Sequence, residues 1–524
     1  PPRAQPSGNI GQSTPAATRL RESLSRSAAE RAMEGGTGGG GSEPATSAAG
    51  GAAYAPPDSV LGGTDAGGLT QSVRSGERPL HSLHCSNESY RHAMLSATGT
   101  LGLGCLGSSV LPTPYAFSKT GVACGLFLML VVAYANAFTA ELLLKAAAAT
   151  RTDTYEACAE AVGGRRWKIW VQVTLLALLF GNTCGSVALL SDVGNVIMAK
   201  LQQPPDGATL AAGSADGLAI QLLLVFGLVF PLCMLRDIRS LDNCAPLAAL
   251  VIVALIGAIM YRAIETGFPA IASGDMPIWV PTDVAAIPEA VSLLGFAFYL
   301  HPCLIPVLRE MPPGGLGLRA TVSATRVVLY GICMAVYGAT GFFGASSFGE
   351  DTKGDVLQNE IIGGTPAVVL ISAVAAYLAV SIPPIFHVLR SSFRQLVTPG
   401  AEFSWVRHSL ETAGLLGAAV AVSILFSSQA EKIFAITGST GVCMACYVLP
   451  ICIYRRERHA RFLAHQEATQ LEADASETLS HPLLDSRQRS PKPPQLLETV
   501  TSFAVLFIGV ATSVLALWVA LSRS

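Results

Sequence analysis

The chain has 524 residues, 51% of them hydrophobic and only 13% charged, with a formal net charge of −2. Its mean hydropathy is +0.47. Soluble globular chains carry about 25% charged residues, so most of this chain is not built to face water. The near-zero net charge provides no overall field for binding nucleic acid.

Residues 1–90 are rich in Gly, Ser, Ala and Pro and include GGTGGGGS. Such a segment cannot bury enough apolar surface to offset its ordering entropy, so it reads as a disordered tail. No secretory signal is visible in it. The chain opens on Pro1 rather than Met, so its true start is expected upstream. Asn87-Glu88-Ser89 is a glycosylation sequon that matters only on the non-cytoplasmic side of a membrane.

Apolar runs follow at about 94–117, 121–145, 169–193, 217–235, 245–263, 286–307, 326–348, 364–388, 408–428, 432–454 and 500–521. Each is near the roughly 20 residues that cross a bilayer. They predict about eleven transmembrane helices in an all-α membrane protein. Residues 91–454 form a ten-helix core, 455–499 a basic and polar loop, and 500–524 an eleventh helix. The basic loop residues Arg151, Arg165, Arg166, Lys168, Arg236, Arg239, Arg309, Arg319, Arg390, Arg394 and Arg407 fall on the tail's side, as do those after 454. The excess of Lys and Arg on cytoplasmic loops then puts the tail in the cytoplasm and the C-terminus outside or in a lumen. Plasma membrane and an acidic vacuole or lysosome are both compatible. HPLLD at 481–485 contains a dileucine of the kind used for sorting.

Most cysteines lie inside apolar runs, among them Cys105, Cys124, Cys184 and Cys333, and read as small packing residues. Cys443 and Cys446 form a C-x-x-C, a spacing used in redox motifs. Within a span they too read as packing.

Span 1 reads SATGTLGLGCLGSSVLPTPYAF, with Gly99, Gly102, Gly104, Gly107, Pro112 and Pro114. A bilayer span must satisfy its backbone internally, so a broken helix is tolerated only against protein or a watery cavity. Small residues for close helix packing are the other reading. Span 6 reads IPEAVSLLGFAFYLHPCLIPVLREM, with Gly295, Pro302 and Pro306. It opens the second half of the first ten spans. Two interrupted spans in corresponding positions of two halves point to a transport site at the break.

These segments resemble the amino acid/auxin permease family, within the amino acid–polyamine–organocation superfamily. GSSVLPTPYAFSKTG (107–121) is similar to that family's first-span motif, G-x-G-(I or V)-L-x-x-P-x-A-x-x-x-x-G. TYEACAEAVGG (154–164) resembles its loop after span 2, and SSFGEDTKGDVLQN (346–359) the end of its seventh span. ITGST (436–440) resembles the start of its tenth. GFAFYLHPCLIPVLREM (295–311) carries the most specific match, to F-A-F-x-x-H-P-x-x-x-P-x-x-x-E-(L or M).

The resemblance implies a five-plus-five inverted repeat with broken helices 1 and 6 and an added C-terminal helix. It implies secondary active transport of neutral or cationic amino acids by alternating access, driven by H⁺ or Na⁺, with no other cofactor. The partners are then an amino acid substrate and the lipid bilayer; nothing in the sequence sets an oligomeric state. Gly104, Gly107, Ser108 and Ser109 match the break that holds the substrate carboxylate, and Phe296, Ala297 and Phe298 match the side-chain pocket. Ser186 stands where the family often has Tyr, which leaves a roomier pocket. Sodium-coupled members carry an Asn where this chain has Leu103, and Leu103 offers no side-chain ligand. Ser381 matches the span 8 hydroxyl of their sodium site. Together these point to H⁺, with Na⁺ through Ser381 and backbone carbonyls as the alternative.

Ionisable groups within spans are functional candidates. His301 reads either as a coupling group near neutral pH or as a capping residue beside Pro302. Glu289 at the start of span 6 is favoured there by the helix dipole and is a proton-relay candidate. Asp192 is expected to orient the outer end of span 3. Glu310, after span 6, is expected to pair with a basic loop residue at the cytoplasmic gate.

No G-x-x-x-x-G-K-(S or T) is present, which argues against a nucleotide-driven pump. No H-E-x-x-H or His with paired carboxylates suggests a membrane enzyme. An amino-acid sensor on the same scaffold, signalling through the tail, is the remaining competitor.

Overall fold

In the computed structural model, residues 80–202, 215–235, 245–279, 281, 283–400, 402–426, 429–478 and 496–522 are described. Among them there are helices and no strands. The apolar runs all become helix, because a bilayer leaves each backbone amide only its own helix as partner. Among the described residues, nine helices are long and apolar enough to cross a membrane: Val122–Thr150, Arg165–Lys200, Leu247–Glu265, Val284–Glu310, Gly315–Asp351, Gly364–Val397, Trp405–Leu425, Ala430–Gln470 and Leu496–Ser522. The bent pair Glu88–Cys105 and Ser108–Thr120 makes a tenth span, and the shorter apolar helix Gly217–Cys233 lies where the fourth is expected. Numbered in chain order with the bent pair as span 1 and Gly217–Cys233 as span 4, these are spans 1 to 11.

Span 1 opens the first five spans and span 6 the second five, and both are broken. The two parts of span 1 meet at 63°. The helix Leu80–Cys105 stops before Gly107, a short 3₁₀ turn covers Ser108–Val110, and helix Thr113–Thr120 resumes with a proline in its first turn. Proline suits a helix start because its missing N–H is not needed there. Gly121 ends that part with φ +82°, and a Cβ there would lie 2.6 Å from the Pro277 carbonyl oxygen. Only glycine fits both demands. Span 6 is helical over Ile287–Ala297 and again over His301–Glu310, with Pro302 in the first turn of the second part.

Spans 3, 6 and 10 are the most buried and the last helix the least. Span 3 packs along spans 8 and 10, and span 6 packs against span 10 and the last helix. Spans 6 and 10 approach unusually closely. A Cβ on Gly438 would sit 2.1 Å from the Ser292 carbonyl oxygen.

Three expectations change. The first helix begins at Leu80, ten residues inside the stretch read as a disordered tail. The stretch read as a loop after 454 continues span 10 as helix to Thr478. Its Arg and Glu content keeps it out of the bilayer but does not oppose helix. Asp192 lies within the helix Arg165–Gln202, ten residues before its end, rather than at the terminus of span 3. Residues 1–79 of the tail, Arg236, Arg239, HPLLD and the basic residues of 479–495 lie outside the described residues.

Ion pairs gather at the end of the bundle that carries the segments joining spans 2 to 3, 6 to 7 and 8 to 9 (the near end). Arg309 pairs with Asp153 at 2.9 Å, Lys168 with Glu160 at 2.8 Å, Arg394 with Glu411 at 2.6 Å and Arg458 with Glu498 at 2.9 Å. The helix Tyr155–Gly163, capped by Thr154, lies at this end, and Tyr155 Oη donates to the Ala445 carbonyl at 2.8 Å. Residues 154–164 are therefore a structural foot under span 10 rather than a free loop.

Candidate substrate site

At the span 1 break the amides of Gly107, Ser108 and Ser109 donate to no backbone carbonyl among the described residues. Ser108 and Ser109 are both buried. Consecutive free amides at the start of a helical turn form a ready site for a carboxylate. A Cβ on Gly107 would meet nothing within 4 Å, so the chain at this point borders open space.

The hydroxyls around the break form two chains. Ser108 Oγ lies 3.0 Å from Ser186 Oγ of span 3. Ser186 Oγ donates to Asn182 Oδ1 at 3.3 Å, and Asn182 Nδ2 donates to Tyr299 Oη at 2.6 Å. Ser109 Oγ lies 3.0 Å from Tyr337 Oη of span 7. Tyr337 Oη also donates to the Cys105 carbonyl at 2.8 Å, and Tyr377 Oη of span 8 donates to the Leu106 carbonyl at 3.3 Å. Two phenols thus occupy two of the carbonyls that the break sets free.

At the span 6 break, Phe298, Tyr299 and Leu300 leave helical geometry, and Cys105 Sγ reaches the Ala297 carbonyl at 3.7 Å. Phe296 lies 4.6 Å from Phe434 of span 10 and 5.3 Å from Tyr299, centroid to centroid. Phe298 lies 5.4 Å from Tyr337. These rings make an apolar wall beside the two breaks. Gly104 faces Cys303 Sγ at 3.8 Å from its Cβ position, so spans 1 and 6 pass close to each other one turn from the breaks.

The sequence candidates separate into groups. Gly107, Ser108, Ser109, Ser186, Phe296, Ala297 and Phe298 come together around the breaks, with Gly104 one turn below. Ser186 does not simply leave room; it is the hydrogen-bond partner of Ser108. His301 is fully buried, with Nε2 3.0 Å from Thr139 Oγ1 of span 2. It therefore ties the second part of span 6 to span 2, in addition to standing beside Pro302. Ser381 Oγ donates to the Leu378 carbonyl of its own helix at 2.9 Å. Leu103 is 44% exposed.

One expectation changes locally. Glu310 is exposed, and the ion pair at this level is made by its neighbour Arg309, which pairs with Asp153 and donates to the Thr152 carbonyl at 2.9 Å. A long exposed carboxylate gains little from a surface pair, whereas the guanidinium reaches two acceptors. Glu289 sits in the first turn of span 6, as expected, and is buried there. Asn182, Tyr337, Tyr377, Phe434 and Thr139 were not anticipated. For Asn182 and Thr139 the available signal was a polar side chain within an apolar span; Phe434 and the two tyrosines read as packing.

The family described as "Transmembrane amino acid transporter protein" matches residues 91–471. The chain is similar to sodium-coupled neutral amino acid symporter 2 of Danio rerio, with 23% identity over 383 residues, covering 68% of this chain and 73% of that protein. Among solved structures it is similar to MhsT in complex with L-phenylalanine, at 12% identity and TM-score 0.47, covering 82% of this chain and 98% of that one. It is also similar to the Eremococcus coleocola manganese transporter, at 13% identity and TM-score 0.47, covering 86% and 98%. With the family match extending over most of its length, the chain belongs to the transmembrane amino acid transporters, the amino acid/auxin permease family, and is an integral membrane protein.

Proposed function

We propose that the protein is a secondary active transporter of neutral amino acids, driven by a proton gradient and working by alternating access between the two broken spans. The observation that carries the reading is the run of free amides at Gly107, Ser108 and Ser109 beside the aromatic wall of Phe296, Phe434 and Tyr299. The amides suit a carboxylate and the wall suits an apolar side chain, which together describe a neutral amino acid.

The preference for H⁺ rests on what the span 1 break does with its carbonyls. A hard cation needs several oxygen ligands at close range. Here the Cys105 and Leu106 carbonyls already accept from Tyr337 and Tyr377. Ser381 Oγ donates to the Leu378 carbonyl, and Leu103 has no ligating atom. Tethered phenols meet the two carbonyls at the break. The Danio rerio relative is named as sodium-coupled, so sodium is the second reading and has to be tested directly.

The test is uptake of a labelled amino-acid panel by the purified protein in liposomes under a proton gradient, a sodium gradient, or neither. The proposal expects accumulation of a neutral amino acid under the proton gradient alone. Accumulation that requires sodium contradicts the coupling reading. Binding without movement turns the protein into a sensor on the same scaffold.

A further inference from the structure

We propose that Asp355 and Glu431, with Asp192 and Glu289 beside them, form a proton-binding site at the far end of the bundle, directly above the substrate pocket. The inference rests on the proton-coupled reading and names the groups that take up the proton.

The four carboxylates come from four different elements and all are buried. Asp355 lies in the segment between spans 7 and 8, Asp192 in span 3, Glu289 in the first turn of span 6 and Glu431 in the first turn of span 10. Asp355 is 1% exposed; its Oδ1 accepts from the Leu357 amide at 2.9 Å, while its Oδ2 has no hydrogen-bond partner among the described residues. Glu431 is 8% exposed, and its Oε2 likewise has none. The Glu431 carboxylate lies over Gly354, where a Cβ would come within 1.7 Å of Oε2. Glycine next to Asp355 is what lets the two carboxyl groups share one enclosed space.

The charged groups around the pair are mostly of the same sign. Asp192 faces both Asp355 and Glu431, and Glu289 faces Glu431. The cation beside them is Lys432, half-buried on the same turn of span 10. Glu350, Asp351 and Lys353 on the loop are exposed, Lys200 ends span 3, and Arg262 of span 5 lies over Phe348 at 5.3 Å. No group of three or more His, Cys, Asp or Glu among the described residues is arranged to hold a metal ion. Burial and like charge both disfavour ionisation, so the Asp355 carboxyl between spans 7 and 8 tends to keep its proton. Asp355 is held well above the usual carboxylate range, first by burial and then by the charge of Asp192, with the Leu357 amide opposing and Glu431 adding to the rise.

Each carboxylate is linked to a pocket residue. Val356, next to Asp355, donates its amide to the Leu111 carbonyl just beyond the span 1 break, at 3.4 Å. Glu431 is three residues before Phe434, Glu289 seven before Phe296, and Asp192 six after Ser186. At about 1.5 Å per helical residue the carboxylates stand roughly 5–10 Å above the substrate pocket. When the far end opens, water reaches the carboxyls and favours their charged forms. When it closes over the substrate, a proton moves from far-side water to a carboxylate oxygen. Closure and proton uptake are then one step, and the chain from Ser186 through Ser108 lies on the way to near-side water for its release.

The test uses full-length protein in liposomes, comparing the parent with Glu431→Gln and Asp355→Asn, which imitate the protonated groups. The expected result is loss of proton-driven accumulation in both variants, down to the level without a gradient. Exchange of labelled for unlabelled amino acid without a gradient should persist and should no longer vary with pH. Persistent exchange also shows that the variants fold. If a variant does not exchange, Asp192→Asn and Glu431→Asp are read in the same assay. Proton-driven accumulation with the parental pH profile in Glu431→Gln and Asp355→Asn overturns the site while leaving proton coupling intact. Accumulation by the parent that needs sodium overturns the coupling reading and this site with it.

Discussion

Gly107 shows how one residue separates a pocket from a wall. Its backbone at φ −132° and ψ −157° is open to any L-residue, and a Cβ there meets nothing within 4 Å. Gly107→Val therefore should fold normally while its methyls occupy the carboxylate position. Uptake should fall to background at parental yield and melting temperature; normal uptake would remove the break from the binding site. His301 gives a complementary case. Its Nε2 bond to Thr139 joins spans 6 and 2, and a buried hydrogen bond of this kind contributes about 1 kcal/mol. If the proton travels on the far-end carboxylates, His301→Gln slows transport but keeps its pH profile. A lost pH profile would give the proton to His301. The glycines, the prolines and His301 were legible in the sequence because each departs from what a plain span tolerates. Tyr337 and Tyr377 were not, because a tyrosine in an apolar run looks like packing until the carbonyl it meets is known.

The breaks in spans 1 and 6 are local events, visible as glycine and proline in the wrong place for a helix. Their partners are set by elements far along the chain. Span 10 supplies Phe434 to the aromatic wall, and Gly438 lets it approach the Ser292 carbonyl of span 6. Gly438→Ala forces a Cβ against backbone and should cost about 1–3 kcal/mol of stability. The melting temperature in detergent should fall; an unchanged value would mean that the two spans are not held at this spacing. The loop between spans 7 and 8 makes a different prediction. The Asp355 pKa is raised by burial and by neighbouring carboxylates, so its protonated form is favoured in the folded protein. Its contribution to stability is present below the pKa of the unfolded chain and is lost as pH rises through the folded value. The melting temperature of the parent should therefore decline with rising pH more steeply than that of Asp355→Asn. Parallel curves would show that Asp355 is not buried as charge-free carboxyl. The segment 346–359 was legible as a family motif, but burial of its acid was not, since an Asp in a polar loop reads as solvated.

On the scale of the whole molecule, hydropathy revealed nearly every span because the bilayer imposes one length and one composition on each. It failed where the membrane stops imposing them. The helix begins at Leu80 and span 10 runs on to Thr478, both in sequence that looks polar or irregular. These limits matter for separating a transporter from a sensor. A truncation at residue 79 removes the tail without cutting the first helix, whereas one at residue 90 enters it. Truncation at 79 should leave uptake within about twofold of the full chain, because a sequence so rich in Gly, Ser, Ala and Pro offers little apolar surface to bury. Loss of uptake would assign the tail a working role.

The central claim is that the two broken spans bind an amino acid and move it with a proton. Uptake of labelled neutral amino acids into liposomes, measured with a proton gradient and no sodium, tests it most directly. Accumulation above equilibrium that collapses with the gradient is the predicted result. Absence of accumulation under the proton gradient, with accumulation restored by sodium, would contradict it.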